Sequence, residues 1–379
     1  MPKRATKRGA QRTPLGNPAY DVLVCGASFA GLAVARELRS TRARVLVLDR
    51  YEIGERQTSA CAAPTSWLEN LGLRDSIRQT FGSLVVHTPH ARARWSLPFT
   101  FSTFDYRQLC ALLWEQRGPE CSFETATVSG RTGNVVHTDR GDVSAPVVVD
   151  ALGWRRVLGA GPNVQPPEAH LSRGLEVHPS GSGADLELWI DRDVIRAGYG
   201  WSFPAGDEVR VGVGSFDPHD HVKNPTVRLA SDVGRDAVRY QGNWIPHRLR
   251  PAVEDRVFFV GDSAGHCLPL TAEGIRTAFY FAVACGRELR SVLDGRSSVA
   301  DALERYGAFS AAHRAKFEAM LLAQRAVPRL HPRALGEVVR AFGRPRLSHW
   351  GFGHYLDIAP PSFALPAPPP ALEPARAAA

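Results

Sequence analysis

Between Asp21 and Leu38 an apolar run, a small-residue turn and a helical repeat follow one another without interruption. Val22-Leu-Val-Cys25 reads as a short buried strand, Gly26 to Gly31 as a tight turn, and Leu32 to Leu38 as a helix. Such a junction aims unpaired backbone N–H groups and a helix dipole at one point, which suits a pyrophosphate. A second apolar run, Val45-Leu-Val-Leu48, ends in Asp49, the spacing of an acid that accepts hydrogen bonds from an adenosine ribose. Ser28 stands where the fingerprint carries its middle glycine, so the pattern is G-x-S-x-x-G. Any strand-turn-helix of an α/β protein offers the same outline, and both readings stand at this point. Gly26, Ser28, Gly31, Asp49 and the adjoining Arg50 are the candidate contacts.

The chain of 379 residues is long enough for two domains or one composite one. Its longest uncharged apolar stretch, Val22 to Ala35, is interrupted by the glycine turn and falls short of the roughly 20 residues a bilayer span needs. The basic residues 1–12 precede no apolar segment and read as a solvated tail rather than a secretion signal. Six scattered cysteines lack metal-ligand spacing and suit reduced thiols in a cytoplasmic protein. The net charge of +8 comes without a recognition motif, so no nucleic-acid partner and no metal are expected.

Further along, residues 66–79 read as a short helix through Trp67, Leu68, Leu71, Leu73 and Ile77. Ala91, Ala93, Trp95 and Leu97 alternate on an antiparallel strand, and Asp105 opens a helix over Tyr106–Arg117. Val147–Asp150 and Val257–Val260 are two more buried runs, with strand patterns between 174 and 216 and a helix after Gly274. Residues 298–330 read as one or two amphipathic helices. The seven prolines of 360–379 predict disorder there. Parallel α/β segments at separated places, with antiparallel sheet between them, predict a nucleotide domain carrying an inserted sheet domain.

Three later segments occur in the order of a known family. Gly261-Asp-Ser-Ala-Gly-His-Cys-Leu-Pro-Leu-Thr-Ala-Glu-Gly-Ile275 resembles the second flavin motif of single-nucleotide flavoproteins, and Val148–Gly159 resembles their middle motif. Tyr199-Gly-Trp-Ser-Phe-Pro204, followed by Val211-Gly-Val-Gly214, is similar to the Y-x-W-x-F-P segment of the geranylgeranyl reductase family. The resemblance runs from about Tyr20 to about residue 322. It implies an α/β Rossmann-type FAD-binding domain with an inserted antiparallel β-sheet substrate domain and a C-terminal helical segment. The FAD domain is expected over 19–75, 105–165 and 249–295, and the substrate domain over 76–104 and 166–248. C-terminal helices are expected over 296–358, with disordered tails at 1–18 and 359–379.

The resemblance also implies roles. Gly261 and Asp262 would meet the ribityl chain. Gly274 and Ile275 would aim a helix N-terminus at the negative charge of a reduced flavin, with Pro269 shaping the loop. Arg107 matches an arginine directed at the FAD phosphates or ribose; a solvated helix arginine is the alternative. Cys61 falls where the family carries a cysteine near its flavin, though free cysteine is usually a small buried hydrophobe. His266 is a candidate proton source or simply a loop histidine. Tyr199, Trp201 and Phe203 would line the pocket, Tyr199 and Trp201 beside the reaction itself; aromatics alternating on a strand are otherwise core. Leu152 and Ala272 depart from the motifs, which usually have an acid and a glycine there.

The implied activity is FAD-dependent reduction of carbon–carbon double bonds in an isoprenoid or other apolar lipid. NAD(P)H or a ferredoxin would donate electrons, since no second glycine fingerprint is present. The alternatives are a flavin monooxygenase and a prenyl-binding protein without redox activity. Between His313 and Trp350, eight Lys or Arg stand against Glu318 and Glu337 with apolar residues interspersed, so peripheral membrane contact is a further expectation.

Overall fold

The computed structural model describes residues 13–16, 19–57, 59–162 and 164–365. The expectation of disorder for residues 1–12, 17, 18 and 366–379 lies outside the described residues.

The apolar run Val22–Cys25 is one of the two central strands of a six-stranded sheet. In order, the sheet is Val253–Glu254, Val257–Phe259, Val147–Asp150, Val22–Cys25, Val45–Asp49 and Cys121–Thr125, parallel except for the first. Strands covered on both faces lack alternation, and Val22–Cys25 and Val147–Asp150 are buried at every position. Helix Phe29–Glu37 and helix Ile275–Leu293 pack on each other over this sheet. Gly286 permits their close approach, because a Cβ there would stand 2.4 Å from Glu37 Cβ. A small antiparallel sheet, Val128–Thr132, Val135–Thr138 and Gly141–Ser144, contributes Val128, Val136 and Val143 to the same core.

The second sheet has eight strands. A long hairpin, Ile77–Thr88 with Ala91–Phe104, supports the short Ala62–Pro64 on one side and pairs in parallel with Leu186–Trp189 on the other. Gly198–Ala205, Glu208–Ser215, Leu171–Val177 and Gln241–Pro246 continue it antiparallel. Val209, Val211 and Val213 face helix Lys223–Asp232, while Gly212, Gly214, Tyr199 and Trp201 face the other way. Helices Val299–Ala311, Arg314–Ala326, Pro332–Phe342 and Pro345–Leu356 follow. The last two lie on strand Ala91–Phe104, where Trp95 Nε1 donates to Val339 O at 2.9 Å.

Three local expectations are corrected. The first helix begins at Phe29, not Leu32, so the glycine turn is three residues shorter. The helix expected over 66–79 is Thr65–Asn70 only. Gly72, at φ +72°, ends it, with Leu73 N donating back to Leu68 O at 2.7 Å, and Ile77 starts a strand instead. Residues 359–365, assigned to a disordered tail, are packed: Trp67 Nε1 donates to Ala359 O at 2.9 Å and Phe363 meets Tyr280 at 4.5 Å between ring centroids.

Candidate active site

One cavity of about 1640 Å³ lies between the two sheets and the C-terminal helices. Ligand pockets are usually roughly 300–1,000 Å³, so this one has room for more than one molecule. Two helix N-termini open on it. At the first, Ala27, Ser28, Phe29 and Ala30 line the cavity, and no side chain caps the helix that Phe29 begins. At the second, Gly274 and Ile275 line it, and helix Ile275–Leu293 is likewise without a side-chain cap.

The glycines at the first turn are dictated by backbone contact. Gly26 has φ +115°, and a Cβ on it would stand 2.2 Å from Ala151 O. A Cβ on Gly31 would stand 1.8 Å from Gly26 O. Asp49 secures the same turn: its Oδ2 accepts from Ala27 N at 2.8 Å and its Oδ1 from Tyr51 N at 3.0 Å. Burial raises its pKa above the usual carboxylate range. Arg50 is exposed and lines the cavity beside it. The hydroxyl of Ser28, at the fingerprint's middle-glycine position, accepts from Tyr106 Oη at 3.0 Å.

That contact decides where Arg107 stands. Tyr106 takes the inward position at the start of its helix, so Arg107, about 100° further round, is exposed and lines no part of the cavity. Arg56 lines it instead, donating to Tyr51 Oη at 2.6 Å. Tyr106 carried no motif; its place after the Asp105 cap, whose Oδ1 accepts from Gln108 N at 2.8 Å, was the available signal.

Gly261, at φ +61°, turns the chain so that Asp262 faces the cavity. The Asp262 carboxylate accepts no hydrogen bond from any described residue, and burial pushes its pKa up to about 6 against the pull of Arg250. Ala272 has φ +51°, a left-handed conformation that costs a side chain about 1–2 kcal/mol and explains why glycine is usual there. Leu152, the other departure, lines the cavity and donates its N–H to Asp150 Oδ1 at 2.9 Å. Asp150 in turn accepts from Ser263 Oγ at 2.6 Å, which ties the middle motif to the Gly261 turn.

Three other residues lie away from the cavity. His266 is fully buried, its ring stacked on Phe281 at 3.7 Å with Nε2 against Ser310 Oγ at 3.0 Å. Burial holds its pKa well below the ordinary value, so it is a neutral core histidine and no proton source for this cavity. Cys61 is also fully buried; Ala60 and Ala62 line the cavity while its own thiol does not, and burial raises that thiol well out of reach of ionisation. Pro269 is buried behind the loop, its carbonyl accepting from Gln324 Nε2 at 2.6 Å.

Tyr199, Trp201 and Phe203 do line the cavity. Tyr199 Oη donates to Thr271 O at 2.5 Å, which joins the sheet to the loop before Gly274. Trp201 lies over Gly212, Gly214 and Gly174, and its Nε1 donates to Glu176 Oε2 at 3.0 Å. Beyond it the floor is apolar, with Leu188, Leu84, Trp95, Leu97 and Phe101, roofed by Val339, Phe342 and Phe352 of the last two helices. That roof was not foreseen, because nothing local in a helix says which sheet it will cover. A buried pair holds it: Arg276, with no exposed side-chain surface, binds Glu273 through two hydrogen bonds and donates to the carbonyls of Tyr355, Leu356 and Ala359.

No protein-family model matches the chain. It is 25% identical over 347 residues to digeranylgeranylglycerophospholipid reductase 3 of Methanosphaera stadtmanae, covering 78% of this chain and 83% of that protein. Over most of its length the chain is similar to proteins named digeranylgeranylglycerophospholipid reductase. Among solved structures, a geranylgeranyl bacteriochlorophyll reductase-like protein of Thermoplasma acidophilum superposes with a TM-score of 0.77 at 17% identity, over 92% of this chain and 98% of that one. The p-nitrophenol 4-monooxygenase of Pseudomonas putida gives 0.70 at 15% identity, over 91% and 99%. These two likenesses establish the fold, a Rossmann-type frame with an inserted sheet and C-terminal helices.

Proposed function

We propose that this protein is an FAD-dependent oxidoreductase that reduces carbon–carbon double bonds of an isoprenoid or similarly apolar lipid. The observation that carries the reading is the continuity of one cavity from the uncapped helix N-terminus at Phe29 to the aromatic floor around Trp201. The homology to lipid reductases supports it.

The residues fit the cofactor. The Ala27–Ala30 N–H groups and helix dipole suit a pyrophosphate, with Asp49 bracing the turn that presents them. Asp262, a carboxylate with unused acceptor capacity, suits a ribityl hydroxyl. The N–H groups at Gly274 and Ile275 favour negative charge on the reduced ring. Bound there, the flavin supplies the hydride. Trp201, Phe203 and the apolar floor hold an unfunctionalised chain by packing and exclude water. Tyr199 keeps the sheet and the Thr271 loop in register, so the strand carrying Trp201 and the helix start at Gly274 would hold lipid and flavin in a fixed relation.

The electron source is NAD(P)H visiting transiently or a ferredoxin-type protein; the single glycine fingerprint supports a donor without its own fixed site. Contact with a membrane surface is a further part of the reading. Val338 and Trp350 line the cavity yet are 46% and 61% exposed, on helices rich in arginine.

The monooxygenase alternative draws on the p-nitrophenol 4-monooxygenase likeness, and a redox-silent prenyl-binding protein would need no flavin. Purified protein, reduced with dithionite without oxygen and offered prenyl lipids, tests all three. Added hydrogen in the product supports reduction. An oxygenated product formed only in air, or a colourless protein that binds lipid unchanged, overturns it.

A further inference from the structure

Reduction of an alkene by hydride leaves the second carbon in need of a proton, and the structure removes His266, the proton source that sequence offered. His266 and Cys61 do not reach the cavity. Asp262 is assigned to the cofactor, and the hydroxyls and carboxylate beside the Thr271 loop are engaged with one another. Tyr199 Oη donates to Thr271 O, Tyr355 Oη donates to Glu273, and Glu273 is ion-paired with buried Arg276.

One pair remains without an assigned role. Glu176 lines the cavity from strand Leu171–Val177 with only 4% of its side chain exposed, an expensive place for a carboxylate in a largely apolar wall. Behind it, His178 Nε2 is 2.9 Å from Glu176 Oε1, and His178 Nδ1 is 3.7 Å from Glu208 Oε1. Glu208 is partly exposed and meets the exposed Arg239 at 3.6 Å. A line of exchangeable groups thus leads from the surface to the cavity wall beside Trp201, whose Nε1 marks the inner end at Glu176 Oε2.

We propose that Glu176 is the general acid of the reduction and that His178 is the relay that returns its proton from the Glu208 side. This rests on the reading of the site as a flavin-dependent alkene reductase. As a hydride from reduced flavin forms a C–H bond at one alkene carbon, the π-bond electrons take the Glu176 proton at the other. The lipid gains two hydrogens, the flavin is left oxidised, and Glu176 is left as a carboxylate. The His178 imidazolium then gives Glu176 its Nε2 proton and is recharged at Nδ1 from solvent. The groups facing the pair are Trp201 and Gln241, which donate to Glu176, Glu208 and Arg210 on strand Glu208–Ser215, Arg239, and the Cys61 thiol.

The test uses the flavin-loaded protein, reduced without oxygen and mixed once with a prenyl lipid. Glu176→Gln keeps an acceptor for the Trp201 N–H but has no proton to give. It should slow lipid-dependent reoxidation of the flavin by about 100-fold or more, with flavin content and reoxidation by dioxygen unchanged. His178→Gln keeps an N–H toward Glu176 and cannot ionise, so it should flatten the pH profile of that rate. Independently of activity, the Trp201 indole N–H resonance of the flavin-free protein should move with pH in the native chain and stay fixed in Glu176→Gln. A Glu176→Gln protein that reduces lipid at the native rate overturns the inference alone. A native protein that holds reduced flavin and reduces no prenyl lipid overturns the reading beneath it as well.

Discussion

Trp201 covers Gly212 so closely that a Cβ on residue 212 would stand 2.2 Å from an indole carbon. The two are paired across neighbouring strands, so the indole lies over its own partner's backbone. Gly212→Ala should therefore lift the ring into the cavity, whereas Trp201→Ala should open the floor beneath it. Both should lower turnover, Trp201→Ala by on the order of 100-fold through loosened placement of the reacting carbon. Flavin absorbance per protein should stay unchanged in Trp201→Ala; loss of flavin in that variant would place the indole with the cofactor and not with the lipid.

Gly31→Val should abolish flavin binding. Its Cβ position lies 1.8 Å from Gly26 O, so the turn that presents the Ala27–Ala30 N–H groups cannot close. Absorbance of the purified variant checks this, and a full complement of flavin would show that the pyrophosphate sits elsewhere.

Arg276 fastens the last helices to the loop before Gly274. Arg276→Met leaves Glu273 buried without its partner and should cost about 3–5 kcal/mol. The Arg276→Met/Glu273→Met double variant should recover part of that loss, because no lone charge remains. Denaturant unfolding measures both, and proteolysis should cut the single variant first within 332–356, where the roof helices lie.

His247 predicts acid lability. Ser172 Oγ lies 2.9 Å from its Nδ1, and burial, together with nearby Arg248, His170 and Arg325, lowers its pKa from 6.5 to about 4. A lowered histidine favours the folded state fully above the unfolded value and loses that advantage as pH falls through the folded one. Stability should accordingly drop on acidification from 6.5 to 4, by on the order of 3 kcal/mol at most. His247→Gln, which keeps an acceptor for Ser172, should flatten this part of the curve in thermal melts taken across that range.

The exposed Val338 and Trp350 stand among the arginines of the last helices. Flotation with anionic vesicles at low salt should carry the protein upward, and Trp350→Ser should weaken that binding. No flotation at low salt would end the membrane reading.

Sequence by itself determined what depends on near neighbours. The strand Val22–Cys25, the glycine turn and the acid at Asp49 are legible because apolar runs, φ freedom and spacing are properties of short segments. The Gly261–Ile275 motif is legible for the same reason, since its turn and helix start are local. The cavity-facing side of Tyr199, Trp201 and Phe203 is fixed by the two-residue period of a strand. Which groups face one another across the cavity was decided only by tertiary structure. His266 and Arg107 sit in or beside readable motifs, yet a ring stack on Phe281 turns one into the core and the inward Tyr106 turns the other to solvent. Glu176 and Arg276 carry no motif, and each takes its meaning from partners on other elements: Trp201 and Gln241 for one, the Tyr355–Ala359 carbonyls for the other. The physical reason is burial. A buried charge or proton is held by whatever the fold brings within about 3 Å of it, and no short stretch of sequence specifies that.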